Sequence, residues 1–131
     1  MILDPWDDAE ELARRLAVPD TPLVIVIGAQ AWCAKCRNLR PAFDALDAQQ
    51  GFRILLWLDV DDHEPFLGNY LPDDLPELLV CQNGLVLYRG VVGNDARSLH
   101  EEIEQACKVP RGAPDATGIF RRLVATDWAK T

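Results

Sequence analysis

The chain has 131 residues, 49% of them apolar, and its 21 acidic and 13 basic side chains leave a net charge of −8. That length supports one domain with one core, and its acidity argues against a nucleic-acid partner because the only tight group of bases lies between Lys35 and Arg40. The longest apolar run, Leu23 to Ala29, is far short of the ~20 residues of a membrane span, and the acidic start from Asp4 to Glu11 is no secretory signal, so a cytoplasmic location without membrane contact is expected.

Asp4-Pro5 reads as an N-cap followed by proline at the first helical position, with Leu12 and Leu16 on the apolar stripe and Pro19 and Pro22 as the stop. Leu23 to Ile27 is short, β-branched and apolar on both faces, as a strand covered on both sides must be. Gly28 to Trp32 leads into a second helix along Cys36, Leu39, Phe43 and Leu46, with Pro41 inside it as an expected kink. Arg53 to Val60 reads as a strand, and Asp61 to Glu64 as the solvated start of a short helix. Leu78 to Gln82 and Leu85 to Arg89 form a hairpin about Asn83-Gly84, the strongest short turn signal available. Asp95 to Cys107 is helical, with Leu99, Ile103 and Ala106 inward. These elements predict an α/β domain over residues 1–108, a mixed central sheet with helices on both faces. Residues 109–131 form a C-terminal extension whose Ile119, Phe120, Leu123, Val124 and Trp128 line one side of an amphipathic helix. That helix is expected to dock on its own domain, a partner or dimer contact being the alternative.

Chemistry concentrates in Trp32-Cys33-Ala34-Lys35-Cys36, between a buried strand and a helix. A sulfur at the start of that helix faces free N–H groups and the positive end of the dipole, which favour the reactive thiolate. Cys36, three residues on, shares the helical face and stands close enough to close a disulfide. Lys35 points off that face; at ~8 Å it contributes about 0.5–2 kcal/mol toward the thiolate, comparable with the helix end. Zinc is the competing use of the spacing, but Cys81, Cys107, His63 and His100 show no second paired spacing to complete its ligands. Redox chemistry without metal or cofactor is therefore the reading. Cys81 and Cys107 read as small apolar fillers, His63 and His100 as surface residues, and Trp6, Trp57 and Trp128 as packing.

In that order of features the sequence resembles the thioredoxin family. An apolar strand leads to Trp32-Cys33-x-x-Cys36, Pro41 follows five residues later, Leu75-Pro76 precedes a strand, Asn83-Gly84 turns the hairpin, and Gly93 precedes the last domain helix. The resemblance covers about Pro5 to Cys107 and implies a thioredoxin fold working as a dithiol–disulfide oxidoreductase. Cys33 would attack a substrate disulfide and Cys36 would resolve the mixed disulfide. Trp32, Leu75, a cis-Pro76, Val92 and Gly93 would form the rim on which a substrate segment lies, pairing with the Leu75 backbone. The partners implied are a protein disulfide and a reductant, with the chain a monomer or weak dimer. The other reading is a thioredoxin-like binding or assembly module that uses rim and tail to hold a client protein.

Five positions depart from the family pattern. The buried aspartate before the motif is matched by Ile27 and its lysine partner by Trp57, so both charges go together and packing replaces them. The aromatic three residues before Trp32 is Ala29, and the intervening Gly-Pro is Ala34-Lys35. Slower resolution by Cys36 is expected, with Asp59 and Glu77 as substitute proton carriers.

Overall fold

The computed structural model describes residues 3–46, 53–68, 70, 72, 74–92, 96–108, 112–114 and 119–120. Helix α1 runs from Ala9 to Leu16, later than Asp4-Pro5 predicts. Asp4 does cap, but it caps a preceding turn: its Oδ1 accepts the N–H groups of Trp6 and Asp7, and the helix proper starts after Asp8. Strand β1, Leu23–Gly28, is buried along its whole length. Helix α2 spans Ala34–Leu46 with Pro41 inside, followed by β2 at Ile54–Asp59 and the short α3 at Glu64–Leu67. Strands β3, Glu77–Gln82, and β4, Leu85–Val91, make the hairpin, and α4 covers Ala96–Ala106.

The sheet order is β2-β1-β3-β4-β5, with β1 parallel to β2 and antiparallel to β3. Burying each Val, Leu or Ile of β1 contributes ~1.5–3 kcal/mol, against about 1 kcal/mol net for a ladder hydrogen bond. Burial therefore fixes where β1 sits. At the hairpin, Asn83 and Gly84 both have positive φ, 55° and 80°, as a two-residue turn that follows the sheet twist requires. The Asn83 amide also clasps Asp20, accepting its N–H at 2.9 Å and donating to its Oδ1 at 2.7 Å, which ties the α1–β1 loop to the hairpin.

The final element, β5 at Ala113–Pro114, is a strand where no strand is expected; it pairs antiparallel with Leu85 and Val86. Proline fits because β5 is the edge strand, where one missing N–H leaves no partner unsatisfied. Ile119 is buried in the common core and Phe120 packs against it, so this part of the extension lies on its own domain. Leu123, Val124 and Trp128 lie outside the described residues.

Register decides which side chains face the redox helix. Val26 pairs with Trp57 and Leu78, whereas Ile27 pairs with Leu58 and Glu77. Side chains alternate across a strand, so Ile27 and Trp57 lie on opposite faces. A Cβ on Gly28 would stand 3.2 Å from Cys36 Sγ, so Cys36 belongs to the face of Val26, Gly28 and Trp57. Counting back from Cys33 thus selects Ile27, but the sheet directs that side chain away from Cys36. Glu77 follows it: its carboxylate accepts the Tyr70 hydroxyl beyond α3, which makes it a poor proton carrier for Cys36. An Ile27→Asp substitution puts a second carboxylate beside Glu77 and is expected to cost at least ~3 kcal/mol in urea unfolding, without changing Cys36 reactivity. A faster Cys36 attack in that variant would contradict the register.

Candidate active site

The redox segment lies where β1 hands over to α2. Cys33 occupies the position before the first helical residue: its N–H donates to Ala29 O at 2.9 Å, and its carbonyl accepts Arg37 N–H at 3.1 Å. Its Sγ accepts the N–H of Cys36 at 3.2 Å, so one orphan donor of the helix end points at the sulfur. No acid stands in the first turn of α2 to oppose that field. Cys33 and Cys36 form a disulfide with Cα atoms 5.3 Å apart. Cys33 is half-buried and Cys36 fully buried, so Cys33 is the more accessible of the two. Lys35 projects into solvent.

The loop before Cys33 is held from below by Asp59. Its Oδ2 accepts Gln30 N–H at 2.8 Å and its Oδ1 accepts Asp61 N–H at 2.9 Å, with a longer bond from Asp62. The Arg37 guanidinium donates to Gln30 O at 3.1 Å and fixes the next peptide, so Gln30 is held at both its N–H and its carbonyl. Burial alone raises the Asp59 pKa, but the backbone N–H groups of Gln30, Asp61 and Asp62 outweigh it and hold the carboxyl below its ordinary 3.8. A carboxylate that stays ionised cannot ferry a proton near neutral pH. Asp59 is a brace for the redox loop instead of the expected proton carrier.

His63 also differs from its reading as a surface residue, being 8% exposed. Its Nδ1 accepts the Asp59 N–H at 2.8 Å, so the ring proton sits on Nε2, which lies 3.4 Å from Asp4 Oδ2. The histidine therefore links the N-terminal turn to the end of β2. Two acids flanking the position suggested solvent; the overlooked signal is the four-residue spacing from Asp59, which lets a side chain reach back to the strand end.

At the same end of the sheet the Leu75–Pro76 peptide is cis. Val92 N–H donates to Pro76 O at 3.0 Å, carrying the β3–β4 pairing one step beyond the strands. Leu75, Pro76 and Val92 are buried, so of the expected rim only Trp32, 62% exposed, offers its side chain to solvent. Gly93 lies outside the described residues. Leu75 N–H donates to Asp74 Oδ1 at 2.9 Å.

The other cysteines are not equivalent to this pair. Cys81 is buried in the core. Cys107 is a free thiol whose pKa burial raises, Glu104 adding to the effect and Arg53 opposing it, so it stays protonated near neutral pH.

A disulfide at the leading end of a helix, one sulfur open and one closed, set on a mixed five-stranded sheet beside a cis-proline, defines a thioredoxin-type protein. The thioredoxin family model matches residues 7–105, and the chain belongs to that family. It is 31% identical to the mitochondrial thioredoxin of Mus musculus over 81 residues, which are 61% of this chain and 48% of that protein. It is 28% identical to the thioredoxin of Bacillus subtilis over 75 residues, 56% of this chain and 72% of that one. The chain spans about half the length of the mitochondrial relatives it matches. Among solved structures, Fasciola hepatica thioredoxin superposes with a TM-score of 0.65 at 25% identity, covering 81% of this chain and 99% of that one.

Asp59 gives a testable dependence on pH. Its folded pKa is depressed, so its stabilisation is complete above about 3.8 and is lost as pH falls through the lower folded value. Asp59→Ala is expected to cost about 2–3 kcal/mol at pH 7 by urea unfolding, a gap that narrows on acidification below that window. A gap independent of pH would contradict the assignment.

Proposed function

We propose that this chain is a dithiol–disulfide oxidoreductase acting on protein disulfides. The observation that carries the reading is the Cys33–Cys36 disulfide at the α2 start, with Cys33 accessible and Cys36 closed off. In the reduced protein the Cys33 thiolate attacks one sulfur of a substrate disulfide; the new S–S bond joins Cys33 to substrate, and the other substrate sulfur leaves as a thiolate that takes a proton from water. Cys36, having given its proton to water, then attacks Cys33 Sγ. The mixed disulfide breaks, the second substrate sulfur departs as a thiolate that takes a proton from water, and Cys33–Cys36 is restored as the disulfide. Two electrons have moved from the chain to the substrate, and an external dithiol reductant must return them.

The N–H groups at the start of α2 support Cys33 as nucleophile, because they lower the cost of a thiolate there. A substrate segment would lie beside Trp32 and exchange backbone hydrogen bonds with Leu75, whereas Pro76 and Val92 shape the floor beneath it. Lys35 adds a solvated positive charge near the entrance. Both reacting sulfurs come from one chain, so a monomer suffices. The free Cys107 fits a reducing compartment such as the cytoplasm, where the pair would work in the reducing direction.

The test is reduction of insulin by the dithiothreitol-recharged protein. Wild type is expected to be active, Cys33→Ser to lose all stimulation above the dithiothreitol background, and Cys36→Ser to accumulate a stable mixed disulfide visible by mass spectrometry. Activity surviving Cys33→Ser would remove that residue from the nucleophile's role.

A further inference from the structure

Trp57 carries a polar atom for which the disulfide-bonded protein has no use. The residue is 4% exposed, and its buried indole Nε1 has no hydrogen-bond partner among the described residues. A buried N–H left unpaired costs ~1–3 kcal/mol, so its position calls for an explanation. Gly28 supplies one. The point where a Cβ of residue 28 would sit is 2.7 Å from Trp57 Cζ2 and 3.2 Å from Cys36 Sγ. The indole edge and the buried sulfur therefore share the room left by the missing side chain, and Cζ2 is only two bonds from Nε1. On its other side the ring is fixed by the Arg40 guanidinium, 4.9 Å from its centroid, and by Phe43, whose ring centroid is 5.9 Å away.

We propose that the Trp57 indole N–H is the hydrogen-bond donor to Cys36 Sγ in the reduced protein, a neutral donor in the place where the strand offers no acid. In the disulfide, Cys36 Sγ is tied to Cys33 and is a weak acceptor. Once the S–S bond is broken, the sulfur is no longer tied to Cys33 and bears more negative charge, so the waiting N–H gains a partner only in the dithiol state. The donor thereby favours the reduced pair and holds the Cys36 sulfur over Gly28 for its attack on Cys33. Arg40, stacked on the ring, strengthens the effect by placing positive charge beside the same indole.

This inference rests on the pair cycling between dithiol and disulfide, and its test separates the two. The pair is first equilibrated against glutathione; failure of the wild-type pair to cycle would overturn the exchange reading itself. With cycling established, indole N–H resonances of nitrogen-15-labelled protein are compared between oxidised and reduced states, the Trp57 signal being assigned by its loss in Trp57→Phe. It is expected to move downfield and exchange more slowly with solvent on reduction, whereas the Trp6 signal, already bonded to Asp62 O at 3.1 Å, stays in place. Trp57→Phe, which keeps an aromatic ring under Arg40, is expected to shift the glutathione equilibrium ~3–10-fold toward the disulfide, the value of one neutral hydrogen bond. An indole signal unmoved by reduction overturns the proposal. So does an unchanged equilibrium in a folded Trp57→Phe variant; should that variant not fold, Trp57→Tyr supplies the assignment, or site-specific labelling at 57, and the wild-type resonance decides.

Discussion

The close approach at Gly28 is the constraint on which the redox site depends. β1 ends against α2 with no side chain at residue 28, and both the Cys36 sulfur and the Trp57 indole use the vacated space. Any larger residue would collide with Trp57 Cζ2 at 2.7 Å, in a core packed densely enough that the ring has nowhere to retreat. Moving the ring would disturb its contacts with Phe43 and Arg40 of α2. One absent side chain thus sets the depth of the resolving thiol.

Around that contact two different kinds of interaction divide the work. The helix is positioned by apolar burial through Cys36, Leu39, Phe43 and Leu46, which is non-directional and strong in sum. The loop carrying Gln30 to Cys33 has no such core. It is fixed by directional bonds: Asp59 on the Gln30 N–H, Arg37 on the Gln30 carbonyl, and Ala29 O on the Cys33 N–H. Apolar packing sets where the sulfurs sit, and the hydrogen bonds set which of them is presented.

Much of this was legible in the residues. The period-free apolar run of β1, the stripe of α2 and the Asn83-Gly84 turn each state their conformation locally, and the structure has them within a residue or two. The family followed from the order of Trp32, Cys33, Cys36, Pro41 and Pro76. What stayed hidden depends on pairing between distant segments. That Ile27 faces away from Cys36 is a property of the β1–β2 and β1–β3 registers, and no local pattern marks a strand buried on both faces as to which side chain points where. Asp59 is braced by backbone N–H groups of the turn that follows, and His63 accepts the N–H of the strand end, whereas composition alone presents this stretch as a solvated acidic turn. Strand β5 was missed because two residues ending in proline carry no strand signal. Gly28 did leave a trace: a glycine inside a β-branched run announces a close approach.

One cysteine is partly exposed at the helix start while the other is enclosed over Gly28. Brief alkylation of the reduced protein with substoichiometric iodoacetamide at neutral pH, mapped by peptide mass spectrometry, tests it most directly. The label is predicted on Cys33, with Cys36 unmodified until the protein is unfolded. Equal labelling of the two residues, or preferential labelling of Cys36, would contradict it.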